Sequence, residues 1–156
     1  TPTLFTAPNS DPGGVELRDK IDRFVASRPW AHFRHTLGPL YCNALRHASV
    51  MVGNSSSGLI EAGLFGLPVV NVGDRQAGRE RGGNVIDVPA DMSLIGEAIS
   101  TAVSWPRSDH GITPYGDGAA TARIVAALLT MPGPEVLLRK RWSNSYQAGN
   151  SHSGRA

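Results

Sequence analysis

Residues 49–61 read Ser-Val-Met-Val-Gly-Asn-Ser-Ser-Ser-Gly-Leu-Ile-Glu. The apolar beginning of this stretch predicts a short buried strand over 49–52, and the small residues after it predict a tight turn into a helix over 58–65. A strand that turns directly into a helix leaves backbone N–H groups available at the positive end of the helix dipole, which is a ready anion site. Because Glu61 follows one helical turn later, we expect an anion that carries hydroxyl groups, such as a nucleotide or a nucleotide sugar.

Short strands and helices alternate on both sides of this turn. Further strands are predicted over 3–7, 69–72 and 84–88. Further helices are predicted over 15–27, 40–48 and 119–129, with another between the capping residue Asp91 and the helix-breaking Pro106, and Gly66 is predicted to end the central helix. Short connections in this order predict an α/β fold with a doubly wound, mostly parallel sheet. Ligands of such sheets bind beyond the carboxyl ends of the strands, so the turns after residues 7, 52 and 72 are expected to share one rim.

The length and composition predict one globular domain. A chain of 156 residues with 40% hydrophobic content can bury a core of its own. We place this domain at 1–131 and expect a tail over 132–156 that is largely disordered, because its Ser-, Asn- and Gly-rich end cannot bury enough apolar surface. No run is apolar and long enough to span a bilayer, so no membrane association is expected. The sequence starts without an initiator methionine or a leader, which favours a piece of a longer protein.

The charges and the single cysteine argue against several classes of function. The formal charge of +2 is spread along the chain, so no nucleic-acid-binding surface is indicated. Cys42 has no second cysteine to pair with, which excludes an internal disulfide and favours the reducing cytoplasm. The five histidines show no metal-ligand spacing with it. We therefore expect neither a structural metal nor a cofactor.

The central turn excludes two kinds of catalysis and leaves binding. Its glycine spacing matches a P-loop, but Leu59 and Ile60 stand where the phosphate-binding lysine and the magnesium-binding hydroxyl belong. No serine here has a glycine two residues away on both sides, as a nucleophile elbow requires. The hydroxyl groups of Ser55 and Ser56 can hold a diphosphate, while Glu61 can accept hydrogen bonds from the two ribose hydroxyls. The alternative is helix capping, with an acid that the helix dipole favours.

A glycine- and arginine-rich loop, 73–83, follows the strand at 69–72 and is predicted to open at the same rim. Arg75 in this loop can form a bidentate pair with a phosphate group. Arg79 and Arg81 lie behind it and are predicted to be solvated loop charges. These differences make Arg75 the candidate phosphate ligand of the loop.

Three further residues near the predicted rim have simpler expected roles. Asn9 and Asp11 follow the first strand, where formation of a turn is more expected than contact with a ligand. Tyr41 is predicted to be an aromatic of the core or of the cleft edge. From the residues alone, none of the three is a firm member of the site.

Four stretches, in order over most of residues 1–130, carry a resemblance to a known family. They are Pro-Asn-Ser-Asp-Pro-Gly-Gly at 8–14, Val-Gly-Asn-Ser-Ser-Ser-Gly-Leu-Ile-Glu-Ala at 52–62, Phe-Gly-Leu-Pro-Val-Val-Asn-Val-Gly-Asp-Arg-Gln-Ala-Gly-Arg at 65–79 and Pro-Tyr-Gly-Asp-Gly at 114–118. With these the chain resembles the UDP-N-acetylglucosamine 2-epimerase family, and in particular its hydrolysing branch, which supplies N-acetylmannosamine-type sugars for sialic and legionaminic acids. The stretch 65–79 is the most specific of the four.

The resemblance implies a two-domain GT-B architecture, of which this chain is similar to the C-terminal, Rossmann-like half. It implies that Ser55 and Ser56 contact the diphosphate of UDP or a UDP-N-acetylhexosamine, that Glu61 accepts from the ribose hydroxyls, and that Arg75 and Asn9 are further contacts. It also implies a reaction that eliminates UDP and then adds water, with inversion at C2, and a subunit that can form homo-oligomers.

In the resembled family, the carboxylates for proton transfer and the histidine near the diphosphate lie upstream of the stretch present here. No catalytic residue is therefore assigned, and the isolated chain is expected to bind UDP weakly and to turn over nothing. Two other classes stay open at this point. One is the donor-binding half of a GT-B glycosyltransferase, against which the Gly-Asp-Arg-Gln-x-Gly-Arg pattern argues. The other is a non-catalytic nucleotide-binding or interaction module, in which the Ser/Glu turn is only capping.

Overall fold

The computed structural model of the chain describes residues 1–10, 12–107 and 113–139. It divides into two compact units, Thr1–Tyr115 and Gly116–Ala156. Asp11 and the part of the predicted tail beyond residue 139 lie outside the described residues. No helix within the described ranges is long and apolar enough to cross a membrane. The predicted division of the chain at residue 131 stays a prediction.

The strands of the first unit form two parallel ladders. In one ladder β1 (Thr3–Thr6) pairs with β2 (Ala31–Arg34). In the other the order is β3 (Met51–Gly53), β4 (Val69–Val72) and β5 (Val85–Val88). Every one of these pairings is parallel, as predicted. The strand β2 was not predicted, although its half-buried Phe33 and buried Ala31 alternate with exposed residues in the manner of a strand.

Helices follow or precede each strand of the first unit. They are α1 (Gly14–Ala26), α2 (Tyr41–His47), α3 (Ser56–Ile60) and α4 (Met92–Ser104). Short 3-10 helices cover Gly38–Leu40 and Ala62–Phe65. The second unit contains α5 (Ala120–Leu129) and α6 (Pro134–Leu137). The helices predicted over 15–27, 40–48 and 119–129 are therefore present within one or two residues at each end.

Local sequence signals explain where these elements begin and end. Asp91 caps α4 as predicted, because its Oδ1 accepts from the Leu94 N–H at 3.0 Å. Gly66 ends the second 3-10 helix in a left-handed conformation, with φ of 58°, as predicted for a C-cap. The single helix predicted over 58–65 was wrong in form. The α-helix begins earlier, at Ser56, and gives way after Ile60 to the 3-10 helix that precedes Gly66.

Apolar residues are buried on both faces of the three-stranded ladder. Val69 and Val70 are consecutive residues of β4, so their side chains point to opposite faces, and they are only 2% and 0% exposed. Val69 packs with Leu45 of α2, whereas Val70 packs with Ala98 and Ala102 of α4. Helices thus cover both faces of a parallel ladder. This arrangement confirms the predicted Rossmann-like, doubly wound α/β fold and is consistent with the C-terminal half of a GT-B protein.

Candidate functional site

The turn between β3 and α3 is built by a glycine and a serine. Gly53 has φ of 150°, a conformation that L side chains rarely adopt. Ser55 then caps α3, and its Oγ accepts from the Ser57 N–H at 3.3 Å. A hydroxyl has two acceptor lone pairs and one proton, so this cap leaves the Ser55 proton available for donation. Ser55 is exposed and Ser56, the first residue of α3, is half-buried.

Glu61 is exposed and lies at the C-terminal end of α3. A carboxylate at that end of a helix is not favoured by the dipole, which was the simplest alternative explanation for this residue. Its side chain also makes no capping hydrogen bond to the 3-10 helix that follows. Neither capping nor the dipole of α3 therefore accounts for Glu61.

Tyr41, the first residue of α2, reaches the same helix. Its phenol forms a hydrogen bond with the hydroxyl of Ser57, and its ring packs against the core cluster around Leu45. Burial raises the pKa of Tyr41, the bond to Ser57 opposes this, and the Glu61 carboxylate raises it further. The predicted role of Tyr41 as a core or cleft-edge aromatic is confirmed. Its contact with Ser57 could not be predicted, because the two residues are distant in sequence.

The loop after β4 is bonded to the turn after β3. Arg75 Nη1 donates to the carbonyl oxygen of Asn54 at 3.4 Å, and Gln76 Nε2 donates to the same oxygen at 2.7 Å. Asn54 is the residue directly before Ser55. The structure therefore brings Arg75, Ser55 and Ser56 to one rim at the carboxyl ends of β3 and β4. Gln76 is 3% exposed, and no sequence signal marked it as part of this contact.

The prediction that Arg81 is a solvated loop charge was wrong. Its Nε lies 2.7 Å from Asp87 Oδ2, and its other nitrogens donate to the backbone carbonyls of Gln76 and Arg79. The guanidinium has several N–H donors in a planar fork, and here they bond to backbone carbonyls of the loop that carries Arg81. The loop is also held by Tyr115, whose phenol donates to the Glu80 carbonyl at 2.9 Å.

Asn9 lies apart from this cluster, beyond the end of β1. It is exposed and lines a depression of about 350 Å³ together with Ser10, Arg18 and His35. A side chain on Gly14 would collide with the Asn9 carbonyl, which explains the glycine at the start of α1. Among the described residues, no hydrogen bond joins Asn9 to the turn after β3. The structure thus groups four of the predicted site residues around α3 and leaves Asn9 on the other ladder.

A larger depression, of about 580 Å³, lies one strand away from the β3 turn. Gly73 and Asp74 line it from the loop after β4, and Asp87, Val88 and Pro89 line it from β5. It opens at the same carboxyl ends of the strands, where parallel sheets bind ligands. The loop that carries Arg75 therefore separates this depression from the serine turn.

The sequence of this chain is similar to those of known proteins. The family model described as UDP-N-acetylglucosamine 2-epimerase matches residues 1–129. The hydrolysing UDP-N,N'-diacetylbacillosamine 2-epimerase of Legionella pneumophila is 39% identical over 133 residues, which are 85% of this chain and 35% of that protein.

Two further relatives are named as 2-epimerases. The UDP-N-acetylglucosamine 2-epimerase of Neisseria meningitidis is 36% identical over 120 residues, which are 74% of this chain and 30% of that protein. The hydrolysing GDP/UDP-N,N'-diacetylbacillosamine 2-epimerase of Campylobacter jejuni is 35% identical over 86 residues, which are 54% of this chain and 22% of that protein. The chain spans about a third or less of the length of these relatives. Since the family match covers most of its residues, this chain belongs to the UDP-N-acetylglucosamine 2-epimerase family.

Proposed function

We propose that this chain is the nucleotide-binding half of a hydrolysing UDP-N-acetylglucosamine 2-epimerase. The observation that carries the proposal is the rim at which Arg75 bonds to Asn54, directly beside the Ser55 cap of α3. A cation and a helix N-terminus at adjoining strand ends suit a diphosphate. At the C-terminal end of α3, Glu61 adds an exposed carboxylate that makes no capping hydrogen bond and that the dipole of α3 does not favour.

Each group has a distinct role in holding the nucleotide. The proton of the Ser55 hydroxyl and the Ser56 hydroxyl donate to phosphate oxygens, and the Arg75 guanidinium binds the same diphosphate through its charge and its planar fork. Glu61 accepts hydrogen bonds from the ribose hydroxyls. Because a carboxylate repels phosphate, Glu61 favours the ligand only where it faces hydroxyl donors. Asn9 would reach the ligand from the other ladder.

The reaction would be the elimination of UDP from a UDP-N-acetylhexosamine, followed by hydration with inversion at C2. In the elimination the C2 proton is removed, a C1=C2 double bond forms, and the C1–O bond breaks, its electron pair leaving with the diphosphate. Arg75 and the serine hydroxyls would stabilise that developing charge. Proton transfer at C2 requires an acid and a base, which we assign to an N-terminal GT-B domain outside this chain. The isolated chain would therefore bind UDP without turning over a sugar.

The product would be an N-acetylmannosamine-type sugar for sialic acid biosynthesis. Two relatives have diacetylbacillosamine and one has N-acetylglucosamine in their names, which supports a UDP-N-acetylhexosamine as the proposed substrate. Another, from Escherichia coli, is named as a polysialic acid biosynthesis protein. We expect a cytoplasmic enzyme that forms homo-oligomers.

Saturation-transfer NMR with UDP tests the site in this chain. The wild-type chain should transfer saturation to the ribose and uracil protons of UDP. Glu61→Gln keeps the shape of the side chain and removes its charge. It should lower the affinity for UDP by about fivefold or more, since hydrogen bonds to charged groups are worth roughly 1.5–3 kcal/mol. The matched control is Glu97→Gln, which removes the same charge from an exposed position on α4.

The ribose assignment of Glu61 is tested separately with 2'-deoxy-UDP. If Glu61 accepts from the ribose hydroxyls, loss of one hydroxyl should weaken binding in the wild-type chain and have a smaller effect in Glu61→Gln. Equal effects in both proteins would refute the ribose assignment. Absence of saturation transfer from the wild-type chain to UDP would refute the nucleotide site itself.

A further inference from the structure

A pair of polar side chains, Asn71 and Asp87, lies near the carboxyl end of the three-stranded ladder. Asn71 on β4 lies opposite Gly53 on β3 and Asp87 on β5. Asn71 is 0% exposed, and its Nδ2 donates to Asp87 Oδ1 at 2.7 Å. A buried amide in the middle of an apolar ladder is unfavourable unless it is hydrogen-bonded. Asp87 thus accepts from the Asn71 amide nitrogen, while Asn71 Oδ1 has no hydrogen-bond partner among the described residues. Asp87 retains a second oxygen for another partner.

That second oxygen binds Arg81 across the base of the 73–83 loop. The Arg81 Nε–Asp87 Oδ2 distance is 2.7 Å, and Arg81 is only partly exposed in its side chain, at 29%. The Nη2 of Arg81 donates to the Gln76 carbonyl at 3.2 Å, and its Nη1 donates to the Arg79 carbonyl at 2.6 Å. Through these bonds the Arg81 guanidinium links both ends of the segment 76–79 to Asp87 of β5.

The segment linked in this way is the one that contacts the serine turn. The backbone carbonyl of Gln76 accepts a hydrogen bond from Arg81, and the side-chain amide of Gln76 donates to the Asn54 carbonyl. Arg75, the residue before it, donates to the same carbonyl. A continuous path of hydrogen bonds thus runs from the Asp87 carboxylate through Arg81 and Gln76 to the residue preceding Ser55.

We propose that Arg81 and Asp87 are a pair of positioning residues that set the Arg75 loop against the serine turn for nucleotide binding. The inference rests on the proposed function, because it concerns the same diphosphate site. The pair acts through Gln76, and neither member is needed as a contact of the nucleotide. Preorganised donors bind an anion more tightly than donors that must be ordered on binding, so loosening this loop lowers affinity.

The alternative is that Arg81 contributes only its positive charge near the phosphates. Arg79 separates the two explanations, since it lies in the same loop and carries the same charge. Within the described residues the Arg79 side chain has no hydrogen bond or ion pair, and Arg79 bonds only through its backbone N–H and carbonyl groups. Arg79→Gln and Arg81→Gln therefore change the net charge of the loop equally, while only the second removes the positioning bonds.

The experiment measures UDP affinity by NMR titration and backbone mobility by hydrogen exchange, both on the whole chain. Arg81→Gln should lower the affinity for UDP by about five- to tenfold, in line with coupling energies between residues of one network. Arg79→Gln should lower it by less than about twofold. Arg81→Lys, which can keep the ion pair but not the two carbonyl bonds, should lie between them. Asp87→Asn combined with Arg81→Gln should bind UDP no more weakly than the worse single variant.

Hydrogen exchange without nucleotide gives a readout that does not depend on UDP. In Arg81→Gln, exchange should accelerate over 54–58 and 73–83 and stay unchanged in α1 and α4, whereas a general loss of stability would accelerate exchange everywhere. If Arg81→Gln fails to fold, the UDP affinity and hydrogen exchange of Arg81→Lys and Asp87→Asn are compared with those of the wild type instead.

The outcomes separate the two proposals. Equal weakening of UDP by Arg79→Gln and Arg81→Gln, or unchanged exchange over 54–58, would overturn the positioning role and leave the proposed function intact. A wild-type chain that does not bind UDP would overturn the proposed function and, with it, the purpose assigned to the pair.

Discussion

Arg107 is predicted to be a main support of the helices around the candidate site. Its Nε donates to the Phe65 carbonyl and its Nη1 to the Ala48 carbonyl, each at 2.9 Å, and its Nη2 donates to the Leu45 carbonyl. Ala48 is the C-cap of α2, and Phe65 ends the 3-10 helix after Glu61. One side chain therefore satisfies carbonyl groups at the ends of two helices, where no intrahelical partner is available.

The magnitude follows from these bonds. A hydrogen bond from a charged donor is worth about 1.5–3 kcal/mol when shielded, and less here because Arg107 is exposed and its charge is screened by solvent. Taking about 0.5–1 kcal/mol for each bond and a few tenths for the helix dipole, Arg107→Ala should lower the free energy of unfolding by about 2–3 kcal/mol. For a domain of this size the melting temperature would fall by roughly 6–12 °C.

Urea unfolding followed by circular dichroism measures this effect. Arg107→Lys keeps the charge but cannot donate to all of these carbonyls, so its stability should lie between the wild type and Arg107→Ala. Arg46→Ala is the matched control, because Arg46 is an exposed arginine in the last turn of α2. The reasoning fails if Arg107→Ala unfolds within about 0.5 kcal/mol of Arg46→Ala, the scatter expected of ordinary surface substitutions.

Three further changes have effects that the structure specifies. In Gly58→Ala the new Cβ would lie 2.9 Å from Val69 Cγ1, so we expect α3 to be displaced from β4 and stability to fall by about 1–3 kcal/mol. Urea unfolding tests this, and a variant as stable as the wild type would contradict the close packing. Asp91→Ala removes the cap of α4 and should lower stability by about 1 kcal/mol, with Asp91→Asn losing much less, since Asn caps as well as Asp. Loss of equal size in both variants would argue against capping. Arg123 and then the Ala119 N–H hold the pKa of Asp117 below its ordinary range, so the stabilisation of this carboxylate is present above that range and is lost as the pH falls through the lowered value. NMR titration of the Asp117 side chain in Arg123→Gln should show the pKa returning upward, and an unchanged titration would contradict the pairing.

The sequence was sufficient for the parts of the fold that depend on local signals. Asp91 predicted the start of α4, and Gly66 predicted a left-handed helix end, because both roles need particular residue types at one position. The apolar run at 69–72 predicted a central strand, and β4 has those bounds. The missed strand β2 is short, and exposed His32 and Arg34 alternate with its inward residues Ala31 and Phe33, so its composition is also typical of a loop.

The candidate site was predictable only where a residue's type implied its chemistry. Ser55 and Arg75 were selected because a capping hydroxyl and a guanidinium suit phosphate, and the structure brings them together through Asn54. The bonds made by Gln76 and Arg81 depend on how two loops fold against each other, which no local pattern encodes. The sequence pattern of an arginine in a glycine-rich loop predicts a solvated charge, and this prediction is the same whether or not an aspartate of the next strand lies opposite the arginine.

The bonded pair of Asn71 on β4 and Asp87 on β5 explains why the core of this ladder is not wholly apolar. Asn71 stands one residue after Val70, and both are 0% exposed, yet one is an amide and the other a hydrocarbon. A valine at 71 would pack without needing a hydrogen bond, but it would leave Asp87 without the donor that fixes its orientation toward Arg81. The amide therefore makes sense only together with the loop it helps to anchor. On this argument Asn71 enters the core at the level where the strands end, because that is where the loop of the proposed nucleotide site must be held still.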